Sequence, residues 1–377
     1  MDGEGRVGGA GEDRCPAHQF ACLDGMRGIA AFAVLSAHSA LLFTHTPRHY
    51  QLAVDFFFVL SGFVLTHAYE ARLTAGMSTA GFLRLRLIRI YPLYVVASLL
   101  GFAHAAFASY SAEAAPLPNL IGRLGLALLL IPAPALSGEG WLYPLDAPAW
   151  SLLFELFANA VFAFFYQPLK RSPALMAAVM GASALALLGC GLFFGNFDLG
   201  WSSDNAIAGL PRVLFSFLAG VVLYRVWRRY ASVRTGSWGP LLMLAAILTL
   251  HLSDPGAELC LQFLLIVFGF PVLVYWGAAV QSKPNAVRIF ELLGLSSYAV
   301  YVLHLPIFFI LRDVCAYFDI NLEGTAPWGG IIFAAALFAL CLLLDHVLDR
   351  PLRKVLQRLS RRDLPSLGEL PTLNNSP

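Results

Sequence analysis

Residues 52–68 read LAVDFFFVLSGFVLTHA, and Asp55 is the only Asp, Glu, Lys or Arg among them. An apolar run of about 17 to 25 residues has the length at which a helix crosses a lipid bilayer. Comparable runs lie on both sides of this one along the chain. We predict ten spans, near residues 29–46, 52–68, 91–109, 147–166, 174–194, 210–228, 239–252, 257–280, 294–312 and 328–347.

The composition supports the same class of fold. Charged side chains make up 13% of the 377 residues, about half the share in a soluble domain, and hydrophobic residues make up 58%. The mean hydropathy is +0.70. A bilayer accommodates this much apolar surface, whereas a soluble interior does not. The composition therefore excludes a disordered chain, a nucleic-acid-binding domain and an ordinary cytosolic enzyme, and predicts an all-α integral membrane protein.

The positions of the basic residues predict the topology. Residues 124–136 contain two prolines and are too short to span, so we interpret them as one re-entrant or interfacial segment. With ten spans and a cytoplasmic N-terminus, 21 of the 25 Lys and Arg residues fall on the cytoplasmic side. Counting 124–136 as a further span would move the later clusters outside. Both termini are therefore predicted to be cytoplasmic.

The predicted organisation is a disordered cytoplasmic tail over 1–22, a transmembrane domain over 23–352, and a basic then polar cytoplasmic tail over 353–377. The first tail lacks the apolar core of a signal peptide, so we expect the first span to be retained as an anchor. The six cysteines show no metal-ligand spacing, and we predict neither a metal site nor a disulfide framework.

Ionisable side chains inside spans are costly and therefore mark candidate functional sites. Arg27 and His38 are eleven residues apart, which places them on one helix face with a rise of about 16 Å. Glu155 and His304 fall at a depth similar to that of His38 on two other spans. The pattern indicates a catalytic or conducting site in mid-membrane, although an anchoring arginine and separately buried polar residues would also explain it. Spacing alone leaves open which histidine would act as a base.

The inner arginines admit two interpretations. Arg84, Arg86 and Arg89 form a basic cluster just before the third predicted span. Such a cluster is commonly a topology signal. It would also serve as a binding patch for phosphates, because the guanidinium fork matches their geometry.

Five motifs resemble those of the membrane acyltransferase-3 family, the multi-pass O-acyltransferases of bacteria. They are LDGMRG at 23–28 followed by His38, VDFFFVLSGF at 54–63, RLIRIYP at 86–92, WSLLFE at 150–155 and SYAVYVLH at 297–304. The resemblance covers nearly the whole transmembrane region. Met26 replaces a common leucine, and Leu156 stands where many members carry a second acidic residue, so a carboxylate pair is not implied.

The resemblance implies an acyltransferase that transfers groups other than aminoacyl groups, located in the bacterial cytoplasmic (inner) membrane. It would move an acyl group, expected to be acetyl, from cytoplasmic acetyl-CoA or another acyl-CoA to a hydroxyl of a carbohydrate or lipid-linked glycan. Neither a metal nor a nucleic acid is expected to take part. His38 would be catalytic with Arg27 as its companion, and Arg86 and Arg89 would bind the donor.

Further roles follow as expectations. Glu155 or His304 would complete the catalytic group by orienting His38. The residues expected to contact substrate are Asp55, Trp150, Ser151 and Tyr298. The competing hypothesis is a proton-coupled secondary transporter, since mid-membrane His and Glu also form proton relays. The sequence shows no inverted repeats, which many such transporters have.

Overall fold

The computed structural model describes residues 20–108, 116–232 and 234–362, and these ranges are mostly helical. Their α-helices are α1 (Ala21–His38), α2 (Ala53–Thr74), α3 (Thr79–Ala108), α4 (Leu117–Leu128), α5 (Ala149–Phe164), α6 (Tyr166–Arg171), α7 (Pro173–Phe194), α8 (Gly209–Tyr230), α9 (Gly239–Thr249), α10 (Pro255–Leu264), α11 (Phe270–Ala278), α12 (Pro284–Tyr317), α13 (Trp328–Leu344) and α14 (Arg350–Arg362). The π-helical turns Leu265–Gly269 and Asp345–Asp349 join α10 to α11 and α13 to α14. Two short parallel strands, β1 (Arg234–Thr235) and β2 (Val280–Gln281), pair at one end.

Seven helical segments of the described chain are long and apolar enough to cross a membrane. They are Tyr50–Thr74, Thr79–Phe107, Pro173–Phe194, Ala206–Tyr230, Pro255–Ala278, Pro284–Tyr317 and Trp328–Ser360. This confirms an all-α, multi-pass membrane protein. The other three predicted spans correspond to α1, α5 and α9, which are shorter or more polar. The count of ten spans and the orientation of the termini remain predictions.

The first helix lies eight residues earlier than predicted: α1 runs over Ala21–His38, whereas the expected span was 29–46. Asp24 and Arg27 form an i,i+3 ion pair at 3.3 Å within it, which reduces the cost of including both charges in the helix. His38 is therefore the last residue of α1 and not a residue of its middle. Arg27 and His38 still share this helix.

Residues 124–136, predicted to be re-entrant or interfacial, comprise the end of α4 and the loop after it. A helix of 12 residues is about 18 Å long and cannot cross a bilayer. Three tyrosine hydroxyls donate to the carbonyls at its end: Tyr91 to Leu128, Tyr94 to Ala127 and Tyr143 to Leu130. These bonds satisfy carbonyls that a helix terminus leaves free.

Small residues bring the central helices close together. A Cβ at Gly62 of α2 would lie 1.9 Å from the carbonyl oxygen of Phe217 in α8, and one at Gly220 would lie 2.0 Å from that of Val59. Only glycine permits this backbone approach, which is typical of helix pairs in membranes. In the same way, a Cβ at Gly28 of α1 would clash with Leu293 of α12. The α1–α12 and α2–α8 pairs therefore form the frame of the bundle.

The ends of the chain were assigned to tails. Residues 1–19 and 363–377 lie outside the described residues, so the predicted disorder there stays a prediction. Within the described part, Ala21 and Cys22 already belong to α1. Residues 353–362, assigned to the C-terminal tail, are helical and continue α14.

Candidate active site

A cavity of about 230 Å³ lies among α1, α2, α3, α5 and α12. Its polar lining residues come from all five helices: Arg27, Ser61, Arg86, Arg89, Ser151, Glu155, Ser297, Tyr298 and Tyr301. The predicted donor-binding arginines therefore share one space with Glu155, Ser151 and Tyr298. The rest of the wall is apolar, which favours an occupant with both an anionic and an apolar part.

Glu155 holds one of these arginines. Nη2 of Arg86 lies 2.9 Å from Oε1 of Glu155, and the hydroxyl of Ser61 donates to the same oxygen at 2.7 Å. The side chains of Arg86 and Glu155 are only 14% and 19% exposed. The hydrogen bonds of Glu155 thus go to Ser61 and Arg86, and neither histidine is among its partners. Glu155 is positioned to fix a cation at the cavity wall and not to orient His38.

Arg89 is held from two sides. Its guanidinium lies 5.7 Å from the ring centre of Tyr298, whose hydroxyl donates to the Ile90 carbonyl at 2.6 Å. Nη1 of Arg89 also lies 3.5 Å from Asp349, a buried residue of the π-helical turn before α14. Arg353 of α14 binds the same carboxylate at 2.6 Å. The C-terminal helix is thereby connected to the cavity.

Each cavity arginine has one carboxylate partner. Arg27 pairs with Asp24, Arg86 with Glu155 and Arg89 with Asp349. Ion pairing keeps the guanidinium groups in place and still leaves donors free, because each fork has five N–H groups. The wall of the cavity can therefore bind phosphate oxygens through charge-assisted hydrogen bonds.

The two histidines contact each other directly. Nδ1 of His38 lies 2.7 Å from Nε2 of His304, and the two rings are parallel within 2°. His304 is 1% exposed, whereas His38 is half-buried. Tyr50 packs edge-on against His38, with ring centres 5.5 Å apart. The structure thus brings together the two histidines that the sequence placed on different spans.

The hydrogen bonds assign a tautomer to each neutral ring. Nδ1 of His304 lies 3.0 Å from the Val300 carbonyl oxygen, which can only accept, so this nitrogen carries the proton. Nε2 of His304 is then an acceptor, and Nδ1 of His38 donates to it. No described residue hydrogen-bonds to Nε2 of His38, the nitrogen left with a lone pair. Nε2 of His38 is therefore the nitrogen of the pair that can accept a further proton, while His304 holds the other nitrogen of that ring.

Tyr301 links the cavity to the histidine pair. Its ring centre lies 6.3 Å from that of His304, one helical turn further along α12. Its hydroxyl is 2.8 Å from the hydroxyl of Ser151, a predicted substrate-binding residue. Both Tyr301 and Ser151 border the cavity. Neither histidine borders the cavity, so the contact of Tyr301 with His304 is what connects the cavity wall with the histidine pair.

Two predicted substrate-binding residues lie elsewhere. Asp55 is fully buried and binds Arg212 of α8 at 2.6 Å. Trp150 covers the same guanidinium, with 5.4 Å between it and the ring centre. Neither Asp55 nor Trp150 borders the cavity. Asp55 forms a buried ion pair between α2 and α8, and Trp150 of α5 covers it.

Comparison with known proteins identifies the family. Residues 20–346, most of the chain, match the family described as "Acyltransferase domain". The chain belongs to this family. The acyltransferase-3 resemblance is thus confirmed, and the protein is a membrane acyltransferase. No solved structure matches the chain.

Three relatives place this acyltransferase among bacterial proteins. It is 26% identical to acyltransferase MdmB of Streptomyces mycarofaciens, over 94% of this chain and 97% of that protein. It is 28% identical to the exopolysaccharide production protein ExoZ of Rhizobium meliloti, over 81% and 92%. It is 43% identical to protein 2 in the picA locus of Rhizobium radiobacter, over 39% and 83%.

Sequence reasoning did not assign roles to three residues of this acyltransferase. Arg212 lies inside the predicted span 210–228, and the cost of a charge there could have indicated that it has a partner. Asp349 lies beyond the last predicted span, and only the observed ion pair connects it with Arg89. Tyr301 belongs to the SYAVYVLH motif, but which of its tyrosines face the cavity depends on the packing of α12.

Proposed function

We propose that this acyltransferase moves an acetyl group from cytoplasmic acetyl-CoA to a hydroxyl of a carbohydrate or lipid-linked glycan at the outer face of the bacterial inner membrane. The proposal includes ten spans with both termini cytoplasmic. The observation that carries it is the arrangement of the site: a cavity lined by three arginines is also bordered by Tyr301, whose ring centre lies 6.3 Å from that of His304 in the histidine pair. This arrangement separates an anion-binding region from a proton-accepting one.

The part of the cavity lined by arginines can bind the nucleotide part of the donor. Arg27, Arg86 and Arg89 present guanidinium groups around one cavity, and phosphate groups are preferred partners of such forks. Arg27 lies about 16 Å along α1 from His38. The extended arm of an acyl-CoA is long enough to cover this distance. Phosphates bound at the arginines would therefore leave the thioester near the histidines.

The histidine end suits general base catalysis. Nε2 of His38 accepts the proton of the acceptor hydroxyl, whose oxygen attacks the carbonyl carbon of the thioester. The new C–O bond forms, the C–S bond breaks, and the thiolate leaving group takes the proton back from His38. A relay through an acetylated His38 gives the same products, and trapping with radiolabelled acetyl-CoA distinguishes the two routes.

His304 serves as a positioning residue. It accepts the Nδ1 proton of His38 and so keeps the lone pair on Nε2, the nitrogen that reacts. When His38 becomes positively charged, the same hydrogen bond stabilises it. The aspartate of a Ser-His-Asp triad orients and stabilises its histidine in the same way. Glu155, in contrast, acts on the donor side, where it fixes Arg86.

The glycan acceptor is proposed on the strength of one relative. The name of ExoZ refers to exopolysaccharide production, and this chain covers 92% of that protein. Polysaccharide O-acetylation would modify a hydroxyl-rich polymer outside the cell. Such an acceptor would reach the site from the outer face, whereas the donor would bind at the arginines on the cytoplasmic side.

Two measurements test the proposed function. The masses of surface glycans are compared between cells with and without the protein, and between cells that carry wild-type protein or His38→Ala at equal membrane abundance. We expect acetyl groups to be lost in both deficient strains. In the second measurement, purified protein receives acetyl-CoA and the glycan fraction, and release of free CoA thiol is followed. Absence of CoA release, the result expected of a transporter, would contradict the proposal.

A further inference from the structure

The last described helix, α14, has a composition unlike that of the rest of the protein. Its sequence is RPLRKVLQRLSRR, in which six of thirteen residues are Arg or Lys and four are Leu or Val. It follows the long apolar helix α13 through the π-helical turn Asp345–Asp349. A basic amphipathic helix directly after a membrane span is typical of segments that lie in a lipid–water interface.

One side of α14 contacts the protein. Arg353 binds Asp345 at 3.2 Å and Asp349 at 2.6 Å. A second contact lies further along the helix, where Arg84 of α3 donates to Ser360 at 3.3 Å. These contacts fix how the helix is rotated about its axis. The remaining sides therefore have defined directions.

The described residues cover an apolar stripe on α14 only in part. Leu352, Val355 and Leu359 are 37%, 48% and 51% exposed. At about 100° per residue they lie within about 60° of one another around the helix. Three exposed aliphatic side chains in a row, on a helix this polar, need an apolar environment outside the protein.

The cations of α14 lie beside and opposite this stripe. Lys354 and Arg358 point about 120° or more away from Leu352 around the helix. Both are exposed, and they form no hydrogen bond or ion pair with any described residue. Within the described part of the chain, no acidic group therefore neutralises them. An apolar stripe flanked by these cations is complementary to a lipid–water interface, where an apolar acyl-chain layer lies next to anionic headgroups.

We propose that α14 lies in the membrane interface and binds the headgroups of anionic phospholipids. Leu352, Val355 and Leu359 enter the acyl-chain region, while Lys354 and Arg358 contact the phosphates. Because Arg353 joins α14 to Asp349 and Asp349 joins Arg89, the bound lipid also fixes one wall of the cavity. The binding itself does not depend on the acyl-transfer activity.

Native mass spectrometry of the full-length protein in detergent tests this proposal. The protein is mixed with equal amounts of phosphatidylglycerol and phosphatidylcholine of the same chain length, and bound lipid is counted. We expect wild-type protein to prefer phosphatidylglycerol. Lys354→Gln/Arg358→Gln should lower that preference about tenfold or more, since each cation at an anionic surface contributes about a factor of five.

Two further variants separate a lipid surface from a general anion site. Val355→Ser/Leu359→Ser retains every charge and should also weaken phosphatidylglycerol binding, whereas excess inorganic phosphate should not compete. The matched control is Arg72→Gln/Arg229→Gln, which removes two exposed arginines at the ends of α2 and α8 and should leave the preference unchanged. Equal loss in the control, competition by phosphate, or no preference in wild-type protein would overturn the proposal.

Discussion

Two arginine–carboxylate pairs inside the bundle have similar geometry and different surroundings. Arg212 and Asp55 are 2.6 Å apart with both side chains 0% exposed. Arg86 and Glu155 are 2.9 Å apart and 14% and 19% exposed, because they border the cavity. Arg212 also donates to two backbone carbonyls, those of Leu199 and Gln51. One pair is enclosed by protein, and the other faces a space that a ligand can enter.

This difference limits what a charge within a span can indicate. Both carboxylates belong to motifs of the family, and both are costly in lipid. The enclosed pair stabilises the α2–α8 packing, whereas the cavity pair can exchange hydrogen bonds with an anionic substrate. We therefore expect changes to the first pair to alter folding and changes to the second to alter activity.

The largest effect is expected from Arg212→Ala. The substitution leaves the carboxylate of Asp55 buried without its partner, which costs about 3 to 5 kcal/mol of unfolding free energy. Folded yield and thermal unfolding in detergent measure the loss. The double variant Arg212→Met/Asp55→Leu removes both charges and should recover most of it. Normal stability of Arg212→Ala would contradict a structural role for the pair.

The second effect is expected at Arg86. Arg86→Gln should lower kcat/KM for acetyl-CoA by about ten- to a hundredfold, the range for a lost charge-assisted hydrogen bond. Its unfolding temperature should stay close to that of wild-type protein, because the pair is partly exposed. Arg86→Lys retains the charge without the fork and should be intermediate. A variant that unfolds as readily as Arg212→Ala would remove the distinction between the pairs.

A smaller effect is expected at Asp349, which positions Arg89 without bordering the cavity. Asp349→Asn keeps the shape of the side chain and weakens its ion pair with Arg89. We expect KM for acetyl-CoA to rise several-fold while kcat changes little, since donor binding is affected and the histidine pair is not. Steady-state kinetics with varied acetyl-CoA measure this. An equal fall in kcat would show that Asp349 acts on the chemical step.

The smallest effect concerns Asp146, a carboxylate without an arginine. It lies in the loop before α5, is 2% exposed, and neither oxygen has a hydrogen-bond partner among the described residues. Burial raises the pKa of Asp146 well above the usual 3.8. Its contribution to the unfolding free energy is thus full below pH 3.8 and is lost as pH rises towards the pKa of the folded state.

The variant Asp146→Asn tests this directly. It cannot titrate, so its stability relative to wild-type protein should increase as the pH rises above 3.8, the usual pKa of the group. Thermal unfolding between about pH 4 and about pH 8, with Asp204→Asn as an exposed control in the loop before α8, provides the measurement. A stability difference that does not vary with pH would show that Asp146 has an ordinary pKa.

Much of the fold could be predicted because apolar length is a direct physical requirement of the bilayer. The helix boundaries were less predictable, as α1 shows: the Asp24–Arg27 ion pair allows charged residues inside a helix that a hydropathy count begins at residue 29. Motifs indicated His38 and His304, and their contact follows from the packing of α1 on α12. The role of Asp55 could not be predicted, because its partner Arg212 lies 157 residues away.

The proposed function depends above all on His38 as the base of an acetyl transfer. It is tested most directly by CoA thiol release from purified protein supplied with acetyl-CoA and the glycan fraction, for wild-type protein, His38→Ala and the exposed control His45→Ala. We predict that His38→Ala loses about a hundredfold or more of the rate at unchanged unfolding temperature, and that His45→Ala retains it. Wild-type activity in His38→Ala would show that His38 is not the base.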